Sequence, residues 1–114
     1  MKYNKLGNTD LEISEITFGA WAAGGWMWGG SERNDAVEAM ITAYDLGVTS
    51  IDTAPIYGQG NSEEIVATAI KNIPRHKLQI LTKYGLKWDG DDGQFYFKSK
   101  KNNHFKLRFW IKIF

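Results

Sequence analysis

The chain of 114 residues contains no cysteine. Disulfides, zinc-thiolate sites and thiol nucleophiles are thereby excluded. It has two histidines, His76 and His104. Neither stands at ligand spacing from a partner, so no metal site is expected. An excess of one charge is also missing: 14 Lys and Arg face 13 Asp and Glu, a net +1. That balance gives no general pull towards nucleic acid or membrane. No run approaches the ~18 apolar residues of a membrane-crossing helix. No apolar stretch follows Met1-Lys2-Tyr3-Asn4-Lys5, so no signal peptide is read and a cytoplasmic protein is the expectation. What remains is a length that suits one small domain with a modest core.

Tyr3 to Leu6 and Leu11 to Ile13 read as short strands. Turn residues Gly7-Asn8-Thr9-Asp10 join them into a hairpin. Ile16 to Ala20 is a third strand. Trp21-Ala22-Ala23-Gly24-Gly25-Trp26-Met27-Trp28-Gly29-Gly30 follows, and glycine that dense marks a loop. Its tryptophans either pack over the end of a core or line a binding mouth.

A helix is predicted from Asn34 to Leu46, with Val37, Met40, Ile41 and Tyr44 on its buried face. Ser31 or Asn34 caps its start and Gly47 ends it. Val48 to Asp52 is a near-continuous apolar strand, as burial on both faces requires. A second helix starts after Gly60. Asn61 is its expected N-cap, Glu64 stands at capping-box spacing, and Ile65, Val66, Ala69 and Ile70 form its stripe. Pro74 stops it. The basic turn Arg75-His76-Lys77 reads as solvated surface. Leu78 to Leu81 is the next strand, with Lys83 standing at its end.

The spacing carries the architecture. The strand ends fall at Ala20, Asp52 and Lys83, 32 and 31 residues apart, with a helix in each interval. A βαβ unit takes roughly 30 residues or more, so this is a β-α-β-α-β run in a parallel sheet. Beyond Gly85 the pattern changes. Trp88 to Gly93 reads as an acidic loop and Phe95-Tyr96-Phe97 as a short strand. Lys98 to Asn103 is a polar run. Phe105 to Phe114 alternates as a strand does.

Parallel strands present their C-terminal ends on one rim, where such folds bind ligands. Asp52 and Lys83 sit on that rim, and Tyr57 hangs from the loop after Asp52. Neighbouring strands lie about 4.8 Å apart, so Asp52 and Lys83 are within reach of each other. An ammonium beside a phenol favours the phenolate, lowering the tyrosine from about 10. Tyr57 then serves as a general acid. The plainer reading is an ion pair between strand ends, an Asp capping a turn and a packed ring. Gly58-Gln59-Gly60 is not a dinucleotide fingerprint, because Glu63 stands where a third glycine belongs.

Phe18-Gly19-Ala20-Trp21, Gly47 through Gly58 with its Asp52-Thr53-Ala54-Pro55-Ile56-Tyr57-Gly58 core, Asn61-Ser62-Glu63-Glu64 and Leu81-Thr82-Lys83 closely resemble the aldo/keto reductases. The Trp-Met-Trp-Gly-Gly loop is similar to that of the bacterial oxidoreductase branch. The resemblance implies a (β/α)8 TIM barrel, of which the chain carries the N-terminal hairpin and about three β/α units. It implies NADPH-dependent reduction of a small aldehyde or ketone. Tyr57 would protonate the carbonyl oxygen, Lys83 would lower its pKa and Asp52 would orient Lys83. Gly19, Ala20, Trp21 and Asp52 match positions near the nicotinamide and its ribose. Trp21, Trp26 and Trp28 would lie near the substrate mouth.

A full barrel takes about 250 residues, and the histidine the family carries after its fourth strand has no match, since the neighbours of His104 do not fit that motif. Residues 1–100 are therefore expected to be the N-terminal part of such a barrel. Residues 101–114 are expected to be an unrelated tail, as a frameshift produces, leaving the chain inactive alone. Two further readings stand beside this. One is a half-barrel that self-associates through open sheet edges. The other is a non-catalytic fragment that binds through its Trp-rich loop.

Overall fold

A computed structural model describes residues 1–25, 29, 31–83, 86–89, 94–97 and 112–113, the last three stretches by their backbone alone. The chain opens with strands β1 (Tyr3–Lys5) and β2 (Glu12–Ser14), paired antiparallel with Tyr3 opposite Ser14. The hairpin is the one the turn residues predict. Strand β3 (Thr17–Gly19), helix α1 (Arg33–Asp45), strand β4 (Ser50–Asp52), helix α2 (Asn61–Ala69) and strand β5 (Gln79–Thr82) follow. β3, β4 and β5 pair in parallel. The β-α-β-α-β run is therefore present in the predicted order.

The strands are shorter than the apolar runs that announced them. Val48 is the clearest case. Its N–H donates to the Ala43 carbonyl while the N–H of Gly47 donates to the Tyr44 carbonyl. With Gly47 at φ 94°, these two bonds form a Schellman motif that closes α1. Val48 is thus still engaged with the helix, and β4 starts two residues later.

Phe18, Ile51 and Ile80 stand side by side across β3, β4 and β5. They pack towards Ala36 and Met40 of α1 and Ile65, Val66 and Ala69 of α2. Side chains alternate across a strand. The opposite face is therefore formed by Thr17, Gly19, Ser50, Asp52, Gln79 and Leu81, and it is mostly polar. On α1 the buried face centres on Ala36 and Met40, whereas Ile41, expected inside, is exposed. Ile41 lies about 100° around the helix from Met40. Neither helix has a side-chain N-cap: Glu32 precedes α1 and Gly60 precedes α2.

The hairpin is pinned to the lower end of the sheet, where the strands begin. The Ser14 hydroxyl accepts the N–H groups of Thr49 and Ser50 and donates to the Ile16 carbonyl. The Ser14 N–H donates in return to the Ser50 hydroxyl. Tyr3 donates its phenol to the Gly47 carbonyl at 3.0 Å. The upper rim is thereby left clear of the hairpin.

Strands β6 (Leu86–Asp89) and β7 (Gln94–Phe97) form an antiparallel pair. β6 takes in Trp88 and Asp89, which the composition had assigned to a loop; pairing with β7 extends the strand through them. From the alternating stretch Phe105–Phe114, strand β8 (Lys112–Ile113) joins the outer edge of β5 antiparallel. Its other residues lie outside the described ones. Among the described residues, no helix is long and apolar enough to cross a membrane.

Candidate active site

Gly19, Asp52 and Leu81 lie level at the upper ends of β3, β4 and β5. Lys83 follows one residue beyond β5. Its ammonium donates to Asp52 Oδ1 at 2.7 Å and to the Thr53 carbonyl at 3.0 Å. It also lies 4.9 Å from the centroid of the Tyr57 ring, within cation–π range. Tyr57 donates its hydroxyl to Asp52 Oδ2 at 3.5 Å, a long contact. The three residues singled out on the rim therefore do meet. Burial alone favours the neutral amine of Lys83. The hydrogen bond and charge of Asp52, with the Tyr57 hydroxyl nearby, outweigh it and hold the group above its ordinary 10.5. Lys83 is a fixed cation at neutral pH.

The loop carrying Tyr57 is tied down from three sides. Ser62, fully buried at the start of α2, donates to the Ala20 carbonyl at 2.8 Å. Its only proton is used there, so the 3.0 Å contact with Thr53 has the Thr53 hydroxyl as donor. The Ala20 N–H donates to the Asp52 carbonyl and the Thr53 N–H to the Leu81 carbonyl. The ends of β3, β4 and β5 and the start of α2 thus share one hydrogen-bonded framework. Above it, Trp21 stacks on Tyr57, with centroids 5.2 Å apart and planes 4° apart.

Of the residues matched to cofactor positions, Gly19 is the most open. A Cβ built there would meet no atom within 4 Å, so free space lies over the end of β3 beside Asp52. That open space, beside the part-exposed Asp52 carboxylate, leaves room for a ligand. Ala20 is fully buried in the core, with both backbone groups engaged. Trp21 stands at the rim, partly exposed. Trp26 and Trp28 lie outside the described residues, as does His104.

Sequence reasoning missed the supports of the site: Gly24, Thr53 as a hydroxyl donor, and Ser62. It also misjudged Asn61. Asn61 does not cap α2 but sends its amide N–H to the Gly24 carbonyl at 3.3 Å. Glu64 closes no capping box; it faces Arg33 at 3.7 Å. One signal was available for Ser62, because a small hydroxyl in the first turn of a helix otherwise lined by Ile65, Val66 and Ala69 asks for a buried partner.

Known proteins share this sequence and this partial fold. The model of the aldo/keto reductase family matches residues 15–106. An aldo-keto reductase of Bacillus subtilis, YhdN, is 47% identical over 89 residues, covering 77% of this chain and 27% of the relative. The NADH-specific methylglyoxal reductase of Escherichia coli is 41% identical over 91 residues, covering 78% and 28%. Among solved structures, a glycerol dehydrogenase of Gluconobacter oxydans superposes with a TM-score of 0.69 at 39% identity, covering 84% of this chain and 30% of that one. An aldo-keto reductase of Bacillus halodurans in its holo form gives 0.74 at 30% identity, covering 85% and 30%. The chain thus spans under a third of the length of these relatives and carries part of their (β/α)8 fold. With a family match that covers most of its length, the chain belongs to the aldo/keto reductase family.

Proposed function

We propose that this rim is the proton-donating part of a nicotinamide-dependent carbonyl reductase, with Tyr57 as general acid, Lys83 as the cation beside it and Asp52 as the anchor of Lys83. The observation that carries the reading is the Lys83 ammonium, held 2.7 Å from Asp52 and 4.9 Å from the Tyr57 ring. A reduced nicotinamide, when bound, supplies hydride to the carbonyl carbon. Tyr57 gives its proton to the carbonyl oxygen, and the ammonium stabilises the negative charge left on the phenol oxygen. Asp52 keeps Lys83 in place and, by pairing it, keeps it charged. Gly19, Asp52 and Trp21 would hold the nicotinamide end of that cofactor. We take the cofactor to be NADPH and the substrate to be a small aldehyde or ketone. The NADH-specific relative in Escherichia coli makes a direct comparison of the two cofactors part of the test. We also take this chain to be inactive alone.

The test uses residues 15–106 grafted in place of the matching segment of the Bacillus subtilis relative. The graft should reduce methylglyoxal with NADPH in preference to NADH. Tyr57→Phe should lower its kcat by about 10²- to 10⁴-fold, the usual worth of a general acid. A Tyr57→Phe graft that turns over like its parent removes Tyr57 from the chemistry. The chain by itself should show no carbonyl-dependent cofactor oxidation, and measurable turnover would overturn that part.

A second reading is favoured by the outer edge of β3, which no strand covers among the described residues. Thr17 and Gly19 point their backbone groups that way, because the Ala20 N–H faces β4 and neighbours alternate. Self-association through this edge would give a sedimentation coefficient that rises with concentration. A constant monomer value rejects it.

A further inference from the structure

Gly58, Gln59 and Gly60 have φ values of 61°, 54° and 96°, three left-handed residues in a row directly after Tyr57. Glycine adopts that region freely, but Gln59 does not. Among the described residues it is the one non-glycine with positive φ. A conformation of this kind persists only where the surroundings over-determine it. Its neighbours show what does so here.

The backbone of Gly24 lies against the peptide joining Tyr57 to Gly58. A Cβ on Gly24 would stand 2.7 Å from both the carbonyl carbon and the oxygen of Tyr57, and 3.0 Å from the Gly58 nitrogen. Seen from the other side, a Cβ on Gly58 would run into the Gly24 carbonyl. The two segments therefore touch backbone to backbone, and the colliding atoms are main chain with no rotamer to yield. Asn61 fastens this crossing. Its amide N–H donates to the Gly24 carbonyl, and its amide oxygen accepts from Arg33 at 3.3 Å. Each end of the amide has the partner its chemistry requires, so the side chain is locked in one orientation. Gly24 also donates its N–H to the Trp21 carbonyl at 3.0 Å, closing the short turn at whose start Trp21 stacks on Tyr57. One turn, residues 21–24, thus grips Tyr57 twice: by its main chain through Gly24 and by its ring through Trp21.

We propose that Gly24, clamped by Asn61, is a positioning residue that sets where the Tyr57 phenol stands relative to Lys83 and Asp52. The role rests on the reading of Tyr57 as the proton donor, but its geometry is measurable without any cofactor or carbonyl. Gly24→Ala forces the Tyr57–Gly58 peptide away and slides the Tyr57 ring off Trp21. Asn61→Asp keeps an acceptor for Arg33 and removes the donor to Gly24, so it releases the clamp without adding bulk. The two act through one contact, so their effects should not add.

The first readout is the ring-proton NMR signal of Tyr57 in the full chain with labelled tyrosine, assigned by its disappearance in Tyr57→Phe. In the parent, stacking on Trp21 shifts this signal upfield. In Gly24→Ala the upfield shift should fall by half or more. In Asn61→Asp it should fall by a smaller amount, and in the double variant by no more than in Gly24→Ala. If Gly24→Ala fails to fold, Asn61→Asp alone decides. An unchanged Tyr57 signal in folded Asn61→Asp, or in folded Gly24→Ala, overturns the proposal. The second readout is the Bacillus subtilis graft, where Asn61→Asp should lower kcat about 10-fold with KM unchanged, since small displacements of a reacting group act on the chemical step. A raised KM at constant kcat would overturn the positioning role. Altered NMR shifts in a graft whose Tyr57→Phe form keeps full activity would leave the clamp standing and refute the reductase reading.

Discussion

The two ends of the three-stranded parallel sheet are held by different kinds of bond. At the lower end, Ser14 and Ser50 exchange neutral hydrogen bonds among themselves and with the start of β4, and both are buried, at 1% and 0% exposure. At the upper end, the close contact is an ion pair between Lys83 and Asp52, whose side chains keep 26% and 35% of their surface open. A buried neutral network is costly to interrupt, because a lost partner leaves a group that water cannot reach. A half-open ion pair contributes little stability, because water screens it. It keeps a charge where a ligand can approach. The lower end therefore holds the fold and the upper end keeps an open charge, the division expected of barrel faces.

Breaking the lower end should give the largest loss of stability. Ser14→Ala leaves the Thr49 and Ser50 N–H groups and the Ile16 carbonyl without their partner. About 2–3 kcal/mol should be lost in urea unfolding. A loss under about 0.5 kcal/mol would mean that the hairpin does not fasten the sheet.

At the upper end, Lys83→Met should cost only about 1 kcal/mol, after allowing for screening of a half-exposed pair. The same change should abolish turnover in the Bacillus subtilis graft. A stability loss as large as that of Ser14→Ala would erase the contrast between the ends.

Alkaline pH sharpens the comparison. Asp52 and Tyr57 hold Lys83 above 10.5 in the folded chain, despite burial. The stability this contributes is fully present below 10.5 and is lost as pH rises through the higher folded value. The urea midpoints of the parent and Lys83→Met should therefore converge above pH 10.5, whereas the parent and Ser14→Ala should stay apart. A parent–Lys83→Met gap that persists at high pH would show that packing, not charge, made it.

The smallest effect should come from outside both ends. Arg33 and Glu64 are 3.7 Å apart, with 46% and 74% of their side chains exposed. Glu64→Ala, which leaves the contact of Arg33 with Asn61 in place, should change stability by less than about 0.5 kcal/mol.

The β-α-β-α-β order was legible because it rests on local patterns: apolar runs, helical periodicity, stops at Gly47 and Pro74, and strand ends at intervals of 32 and 31 residues. The Asp52–Lys83 pair was legible for a related reason. Two strand ends in adjacent parallel strands have few places to go. Asn61 shows where such reasoning stops. Capping rules weigh only its helix, but Gly24, 37 residues earlier, offered a tertiary acceptor. Ile41 failed likewise: it fits the helical stripe, yet which arc of α1 is covered depends on where α2 lies.

The sequence by itself determined the elements, their order and the rim on which Asp52, Tyr57 and Lys83 fall, because periodicity and turn chemistry act between near neighbours in the chain. Only the tertiary structure decided that Ser14 anchors the hairpin and that Ser62 joins two strand ends. It alone brought the bare backbone of Gly24 against the loop of Tyr57. The long-range contacts among them join residues 33 to 42 positions apart, and a small side chain or a missing one carries no mark of the distant group it will meet.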